Sequence, residues 1–376
     1  MTFRRAHVAV VIPAHNEESV IGSVVATVPG LVDHIVVVDD GSTDRTSEVV
    51  REAACRDARV QLVRFDKNRG VGAAVSAGIE AARKARPDVV VTVDGDGQMS
   101  WDDLEHFVAP IVDGAADITK GNRLLTPRDW ATIPTIRLLG NAALSLLTKI
   151  ASGYWSIADS QSGYFAFSRY ALDSIDWPKL YPRYGRENDT LVRANVAGCR
   201  VADVPIRPIY GVGERSGMRL PRLVLAIALL LFRRFWWRMF HKYILRDFHP
   251  LVFFYALAIL AALGALGMFG HLLQFWIANG YISPLTALAV AFLSVTSLNS
   301  LFFAFWMDMQ VNAPLAVRLP EYFGIRTEIE IERGGQAESA TDADRSTSQH
   351  PQIAHRDVGL GGSIPKREQG RRDDEH

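Results

Sequence analysis

Val89-Val90-Val91-Thr92-Val93-Asp94-Gly95-Asp96-Gly97-Gln98 is the stretch whose reading decides the fold. Its opening run is β-branched throughout and too short for a helix, so it predicts a central strand buried on both faces. Asp94 and Asp96 follow where that strand leaves the sheet. In open α/β sheets, ligands bind outside the carboxyl ends of the strands. Gly95 and Gly97 remove side-chain bulk, so backbone and carboxylates can approach a ligand closely. Two hard oxygen ligands at that edge suit Mg2+ or Mn2+ holding a diphosphate. A solvated Asp-Gly turn has the same composition, and the surrounding chain has to separate the two readings.

Moving outward, strands and helices alternate. Val8–Ile12 reads as a strand ending at Pro13. Asn16, Glu17 and Glu18 then open a helix to about Val28, with acids in its first turn as the helix dipole prefers. Ile35–Val38 is the next strand and ends in Asp39-Asp40-Gly41-Ser42. Ser42 or Thr43 is expected to cap a helix over Asp44–Ala54. Val60–Phe65 is a third strand. Gly70–Arg86 is a helix whose small residues allow close packing. This alternation implies right-handed crossovers and a mostly parallel, Rossmann-like sheet.

The totals exclude several classes. Lys plus Arg and Asp plus Glu both number 41 in 376 residues, so no basic field argues for nucleic acid. Cys55 and Cys199 are far apart and lack metal-ligand spacing, which excludes a disulfide framework and a zinc site and fits a reducing compartment. Gly70-Val71-Gly72-Ala73-Ala74-Val75 does not complete a dinucleotide fingerprint, and there is no P-loop. No apolar signal segment follows Met1, so the first domain is expected in the cytosol.

Ile12-Pro13-Ala14-His15-Asn16-Glu17-Glu18, Val38-Asp39-Asp40-Gly41-Ser42-Thr43-Asp44 and Asp94-Gly95-Asp96-Gly97-Gln98, in this order, resemble the family-two glycosyltransferases of GT-A fold. The polyprenyl-phosphate group, which includes dolichyl-phosphate mannose synthase, is the best match, over roughly residues 6–215. The resemblance implies that Pro13, Asn16 and Glu17 line a nucleotide pocket and that Asp40 or Asp39 holds the nucleoside. Lys67, Asn68, Arg69 and Gly70 match the stretch leading into that pocket. Asp94, Asp96 and Gln98 would form the metal site; Asp96 and Gln98 would be the ligands proper, with Asp94 bridging toward sugar or nucleotide.

The second half of this domain extends the resemblance. Asp117–Gly121 reads as a strand before Asn122-Arg123-Leu124. In the family this element faces the acceptor phosphate, a role that suits the two-pronged guanidinium of Arg123, with Lys120 beside it. Ile133–Ala151 has helical periodicity. Asp159-Ser160-Gln161-Ser162-Gly163-Tyr164 resembles the family segment that carries a candidate base, Asp159. Glu187 and Asp189 are expected to orient sugar hydroxyls, although acids in a first helical turn need no such role. Val201–Ile206 is a last strand. Tyr210–Met218 resembles a loop that contacts diphosphate or acceptor; Gly217 stands where the family has lysine, and Arg215 or Arg219 would supply the charge.

Two uncharged apolar runs follow, Leu251–Phe269 extending to about Ala278, and Ser283–Met307, each long enough to span a bilayer. Arg233, Arg234, Arg238, Lys242 and Arg246 precede the first, whereas the connection Asn279–Ile282 carries no cation. By the positive-inside rule both ends then face the cytosol. Trp236, Trp237, Trp276 and Trp306 suit interfacial positions, and 219–246 reads as an interfacial helix.

The expected organisation is a catalytic domain at 1–216, juxtamembrane helices at 217–248, a transmembrane hairpin at 249–308, a cytosolic connector at 309–332 and a tail at 333–376. That tail is too polar to offset the cost of ordering and is expected to be disordered. Gly264, Gly267 and Gly270 lie at helical spacing and could mediate self-association. The resemblance therefore implies an integral protein of the inner or plasma membrane, with its catalytic domain and both termini cytosolic. It would move a hexose or N-acetylhexosamine, with anomeric inversion, from a nucleotide diphosphate sugar to undecaprenyl or dolichyl phosphate. A processive polysaccharide synthase is the alternative, but its Gln-x-x-Arg-Trp signature is absent. A silent nucleotide-sugar-binding scaffold is the other.

Overall fold

The structure, a computed structural model, describes residues 6–123, 135–206 and 220–319. Eight strands form one sheet: β1 (Val8–Ala14), β2 (His34–Asp39), β3 (Val60–Arg64), β4 (Val89–Thr92), β5 (Ile118–Asn122), β6 (Phe165–Ser168), β7 (Val201–Pro205) and β8 (Ala316–Val317). Their order is β3-β2-β1-β4-β6-β5-β7-β8. All neighbouring pairs are parallel except those of β6 with β4 and with β5.

The apolar runs follow from burial on both faces. Val8, Val10 and Ile12 enter one core, with Val89, Val91, Leu104 and Phe107. Ala9 and Val11 enter the other, with Val36, Val90, Ile79 and Trp177. Side chains alternate along a strand, so a strand covered on both sides must be apolar at every position.

β1 runs past its expected end through Pro13 to Ala14. Pro13 is tolerated because β4 has already stopped, and its carbonyl accepts from Gly95 N at 3.2 Å. From β1 the chain steps outward to β2 and β3, then returns to the other side of β1 as β4. The sheet therefore reverses direction between β1 and β4, which is where the Asp94–Gln98 segment emerges.

Several boundaries differ from expectation. The first helix, α1 (Ile21–Ala26), starts later than Asn16. Asn16 adopts a left-handed backbone (φ 58°), which ends the strand instead of opening a helix. α2 (Thr46–Arg56) is not capped by Ser42 or Thr43; Asp44 accepts from Thr46 N at 3.0 Å, and Ser42 Oγ accepts from Asn16 N at 2.9 Å. α3 (Val71–Arg83) and α4 (Leu104–Val112) cover opposite faces of the sheet. Then come α5 (Thr135–Ser152), α6 (Arg169–Ser174), α7 (Arg186–Ala197) and α8 (Leu220–Phe240). α5, α7 and α8 share a small core of Leu144, Ala151, Val192, Ile227 and Leu231.

α9 (Leu251–Asn279) and α10 (Pro284–Asn312) form a hairpin, each 29 residues. At 1.5 Å per residue each is about 44 Å long, beyond the ~30 Å of a bilayer core. Only 28% and 11% of their most apolar windows are buried, so they are not the core of a globule. Leu260, Leu266, Leu285, Leu288 and Phe292 are bare.

The hairpin does not end in a free connector. Ala316 and Val317, expected in the 309–332 connector, pair with Val201 and Ala202 and complete the sheet. A two-residue strand has no periodicity, so backbone pairing alone marks it. The sheet thus takes a strand from beyond residue 216, and the described residues up to Leu319 fall in one compact unit. The basic residues before the hairpin also divide unexpectedly. Arg238 is fully buried, with Nη1 and Nη2 on Asp308 of α10 at 2.8 and 3.0 Å. Lys242, in a π-helical turn (His241–Arg246), reaches Asn195 and Asn312 at 2.8 and 2.6 Å. Trp237 lies against Arg193 and Arg234 rather than standing free as an interfacial anchor. Gly264 faces Leu293 within the hairpin, whereas Gly267 and Gly270 face open space. The tail at 333–376 lies outside the described residues.

Candidate active site

The carboxyl ends of β1, β2 and β4 bring three sequence motifs together. Asn16 Oδ1 accepts from Thr43 N at 2.9 Å, and Glu17 N donates to Thr46 Oγ1 at 2.8 Å, so the first motif is laced to the second. Asp40 accepts from the backbone N–H groups of Arg69 and Gly70 at 2.7 and 2.8 Å. It thus fixes the loop that includes Asn68, which is exposed. Gly70 is required there: its φ is 100°, and a Cβ would lie 2.4 Å from Pro182 O.

The Asp-x-Asp segment lines a cleft together with Gln98, Ser100, Arg123, Gln161, Ser162 and Tyr164. Asp96 Oδ1 accepts from Gln98 N at 3.0 Å, which folds the two side-chain-bearing positions toward each other. Burial, and then the charge of Asp94, push the Asp96 carboxyl up against the pull of that backbone bond. Burial and the charge of Asp96 likewise push up Glu17. Partly buried carboxylates held at an electrostatic cost are what a hard divalent cation relieves, and Gln98 adds a neutral oxygen. Among the described residues no group of three or more His, Cys, Asp or Glu could hold a metal. The donor set therefore fits a cation that takes its remaining ligands from phosphate oxygens and water.

Across the cleft, Arg123 grips Asp159 through Nε at 2.7 Å and Nη2 at 3.1 Å, and its backbone N–H donates to the same carboxylate at 3.2 Å. Burial alone would raise the Asp159 pKa, but Lys120 and Arg123 outweigh it and hold the carboxyl well below the usual range. Asp159 is thus a weak base fixed in one orientation.

Some expected site residues do not reach the cleft. Lys120 was expected at the acceptor phosphate, but it is fully buried and donates to the carbonyls of Asp159 and Gly121. Its ammonium lies over the Phe165 ring and holds the Asp159 loop, and burial lowers its pKa. Asp39 is also fully buried, accepting from Ser42 N at 2.8 Å and from Ser47 Oγ, so it shapes the turn. Asp189, expected to orient sugar hydroxyls, is fully buried against Tyr181 N, Arg193 and Arg234 at 2.8, 3.2 and 2.6 Å. Glu187 lies against Arg186 Nε at 3.0 Å, and burial raises its pKa. Arg215 and the loop around Gly217 lie outside the described residues. Arg186, by contrast, carried no expectation, yet its Nη2 reaches Asp94 Oδ1 at 3.2 Å. No local pattern could have marked it, because its partner is 92 positions away.

Residues 9–176 match the family described as glycosyl transferase family 2. The UDP-N-acetylglucosamine–dolichyl-phosphate N-acetylglucosaminyltransferase of Methanococcus voltae is 32% identical over 213 residues, which span 53% of this chain and 84% of that protein. The chain belongs to glycosyl transferase family 2. Another relative, the polyprenol monophosphomannose synthase of Mycolicibacterium smegmatis, is 31% identical over 231 residues, spanning 58% of this chain and 84% of that protein. Among solved structures, the Mycobacterium tuberculosis glucosyl-3-phosphoglycerate synthase, in complex with Mn2+, UDP and glucosyl-3-phosphoglycerate, is 22% identical with a TM-score of 0.47, covering 62% of this chain and 81% of that one. The family match begins in β1 and ends just beyond α6, so it contains the Asp-x-Asp segment, Arg123 and Asp159 and stops short of the apolar hairpin.

Proposed function

We propose that this family 2 enzyme transfers a sugar from a nucleotide diphosphate sugar to polyprenyl phosphate at the membrane surface, with inversion at the anomeric carbon. The observation that carries the reading is the pairing, across one cleft, of an Asp96–Gln98 donor set suited to a divalent cation with an Arg123 suited to a phosphate. The names of the relatives, which act on dolichyl phosphate and polyprenol, support the acceptor class. The two bare apolar helices joined to the same unit support a membrane location.

In this reading the loop fixed by Asp40, with Asn16 and Glu17, receives the nucleotide. Asp96 and Gln98 would hold Mg2+ or Mn2+, which when bound supplies positive charge beside the departing diphosphate. Arg123 orients the acceptor phosphate, and Asp159 fixes Arg123. A phosphate monoester has a second pKa of about 6, so the acceptor is largely dianionic at neutral pH and needs no strong base. This agrees with an Asp159 whose basicity is low. Both ends of the hairpin connect to the catalytic unit, through Lys242–Asn195 at one end and β8 at the other. They therefore lie on the same side of the bilayer as the active site, which we take to be the cytosolic face.

Purified protein incubated with UDP-glucose, UDP-N-acetylglucosamine or GDP-mannose, undecaprenyl phosphate and Mn2+ should yield a radiolabelled lipid bearing one sugar. A polymer would favour a processive synthase. No label transfer with any donor would sink the reading.

A further inference from the structure

Arg186 opens α7 from beneath the cleft and is 2% exposed. Its Nη2 lies 3.2 Å from Asp94 Oδ1 and 3.4 Å from Gly163 O, and its Nε lies 3.0 Å from Glu187 Oε1. Asp94 is closed in from the other side by Gly163, where a Cβ would stand 2.5 Å from Asp94 Oδ2 and 2.8 Å from Arg186 Nη2. The cation and the missing side chain together clamp this carboxylate. Among the described residues no cationic side chain pairs with Asp96, which accepts from Gln98 N at 3.0 Å. The two acids of the motif are therefore electrostatically unlike. Asp94 already faces a buried guanidinium, so a second cation gains less from it, while Asp96 remains the stronger cation ligand.

α7 is itself held rigidly enough to place Arg186. Asp189, one turn on, is tied to Arg234 of α8, and Asn195, near the other end, is tied to Lys242 and Asn312. A guanidinium on such a strut loses little freedom when it orders its partner.

We propose that Arg186 is a positioning residue that turns Asp94 from a metal ligand into an acceptor for a hydroxyl of the donor sugar. The inference rests on the transferase reading above; to the split between Asp94 and Asp96 that the family resemblance implies, it adds the residue that enforces it. Asp96 and Gln98 serve the metal and diphosphate, and the Arg186–Asp94 pair serves the sugar.

The test is equilibrium binding by calorimetry to the full chain in nanodiscs, with Mn2+ present. The probes are UDP and GDP alone, then UDP-glucose, UDP-N-acetylglucosamine and GDP-mannose. Arg186→Met should weaken the preferred nucleotide sugar by about tenfold or more, the loss expected when a charge-assisted hydrogen bond goes. The matching nucleoside diphosphate should change by less than about twofold, and Arg186→Lys should recover part of the loss. A merely structural role would weaken both probes alike, and that result overturns the proposal, as does unchanged sugar-nucleotide affinity. If Arg186→Met does not fold, Asp94→Asn decides, because it removes the carboxylate charge while keeping the guanidinium; it too should lose affinity only for the sugar-bearing probes. Failure of the wild type to bind any of the five probes would instead count against the transferase reading.

Discussion

At the scale of single residues, the proposed function divides the cleft between groups that carry charge to the substrate and groups that only aim them. Asp96 belongs to the first kind. Asp96→Ala should reduce transfer by at least about a thousandfold, since cation stabilisation of a leaving group is worth several kcal/mol, and the radiolabelled-lipid assay reads it directly. Asp159 belongs to the second kind. Asp159→Asn should retain measurable turnover, with a loss below about a hundredfold, because obligatory general bases contribute at least that much; a loss matching that of Asp96→Ala would restore it as a base. Its depressed pKa also has a stability consequence. A carboxylate more acidic in the folded than in the unfolded state stabilises the fold above the unfolded value of about 3.9, and that contribution is lost as pH falls through the folded value. The melting temperature of Asp159→Asn should therefore lie below that of the wild type at pH 7, and the gap should narrow on acidification below about pH 4. A gap independent of pH would mean that Lys120 and Arg123 do not act on its charge.

Elements position these residues through close approach. α3 begins at Gly70, wedged against Pro182, and Gly72 lies so near Tyr181 O that a Cβ would meet it at 2.0 Å. The segment before α7 is thereby pressed onto the start of α3, and Asp40 locks the same loop from the β2 side. Gly70→Ala should cost roughly 1–3 kcal/mol through a strained positive φ and backbone overlap. It should raise the donor KM more than the acceptor KM, because the proposed function places the nucleotide against this loop. Thermal denaturation and initial-rate kinetics on the same preparation check both parts. Equal shifts in the two KM values would mean that the loop serves the whole cleft.

At the largest scale, the apolar hairpin and the catalytic sheet belong to one compact unit. Arg238 and Asp308 are both fully buried where they meet, and Tyr243 OH adds a 2.6 Å bond to the same carboxylate. Breaking a buried pair leaves the other charge stranded, so Asp308→Ala should cost roughly 3–5 kcal/mol, measured as thermal unfolding in nanodiscs. The topology is checked by labelling with an impermeant thiol reagent. In sealed vesicles with the outer face exposed, Gly280→Cys should react, whereas the exposed native Cys55 on α2 should not until the vesicles are opened. Labelling of both in sealed vesicles would contradict a spanning hairpin.

The sequence alone determined the strands that are apolar on both faces, the acids at their ends and the two long apolar runs, because each is a local pattern whose period or length has one physical solution. Asp94, Asp96 and Gln98 stood out for the same reason, as oxygen ligands where a strand ends, whereas Arg123 and Asp159 were marked by the family resemblance; the first four line one cleft, and Asp159 pairs with Arg123. Tertiary structure alone decided which charges are spent internally. Lys120, Asp39 and Asp189 read as site residues by type, yet each is consumed by partners the local sequence does not show. Arg186 became part of the site, Arg238 turned inward, and Ala316–Val317 returned to the sheet after the hairpin. Burial and pairing depend on contacts between segments tens to hundreds of residues apart, and no local period encodes them.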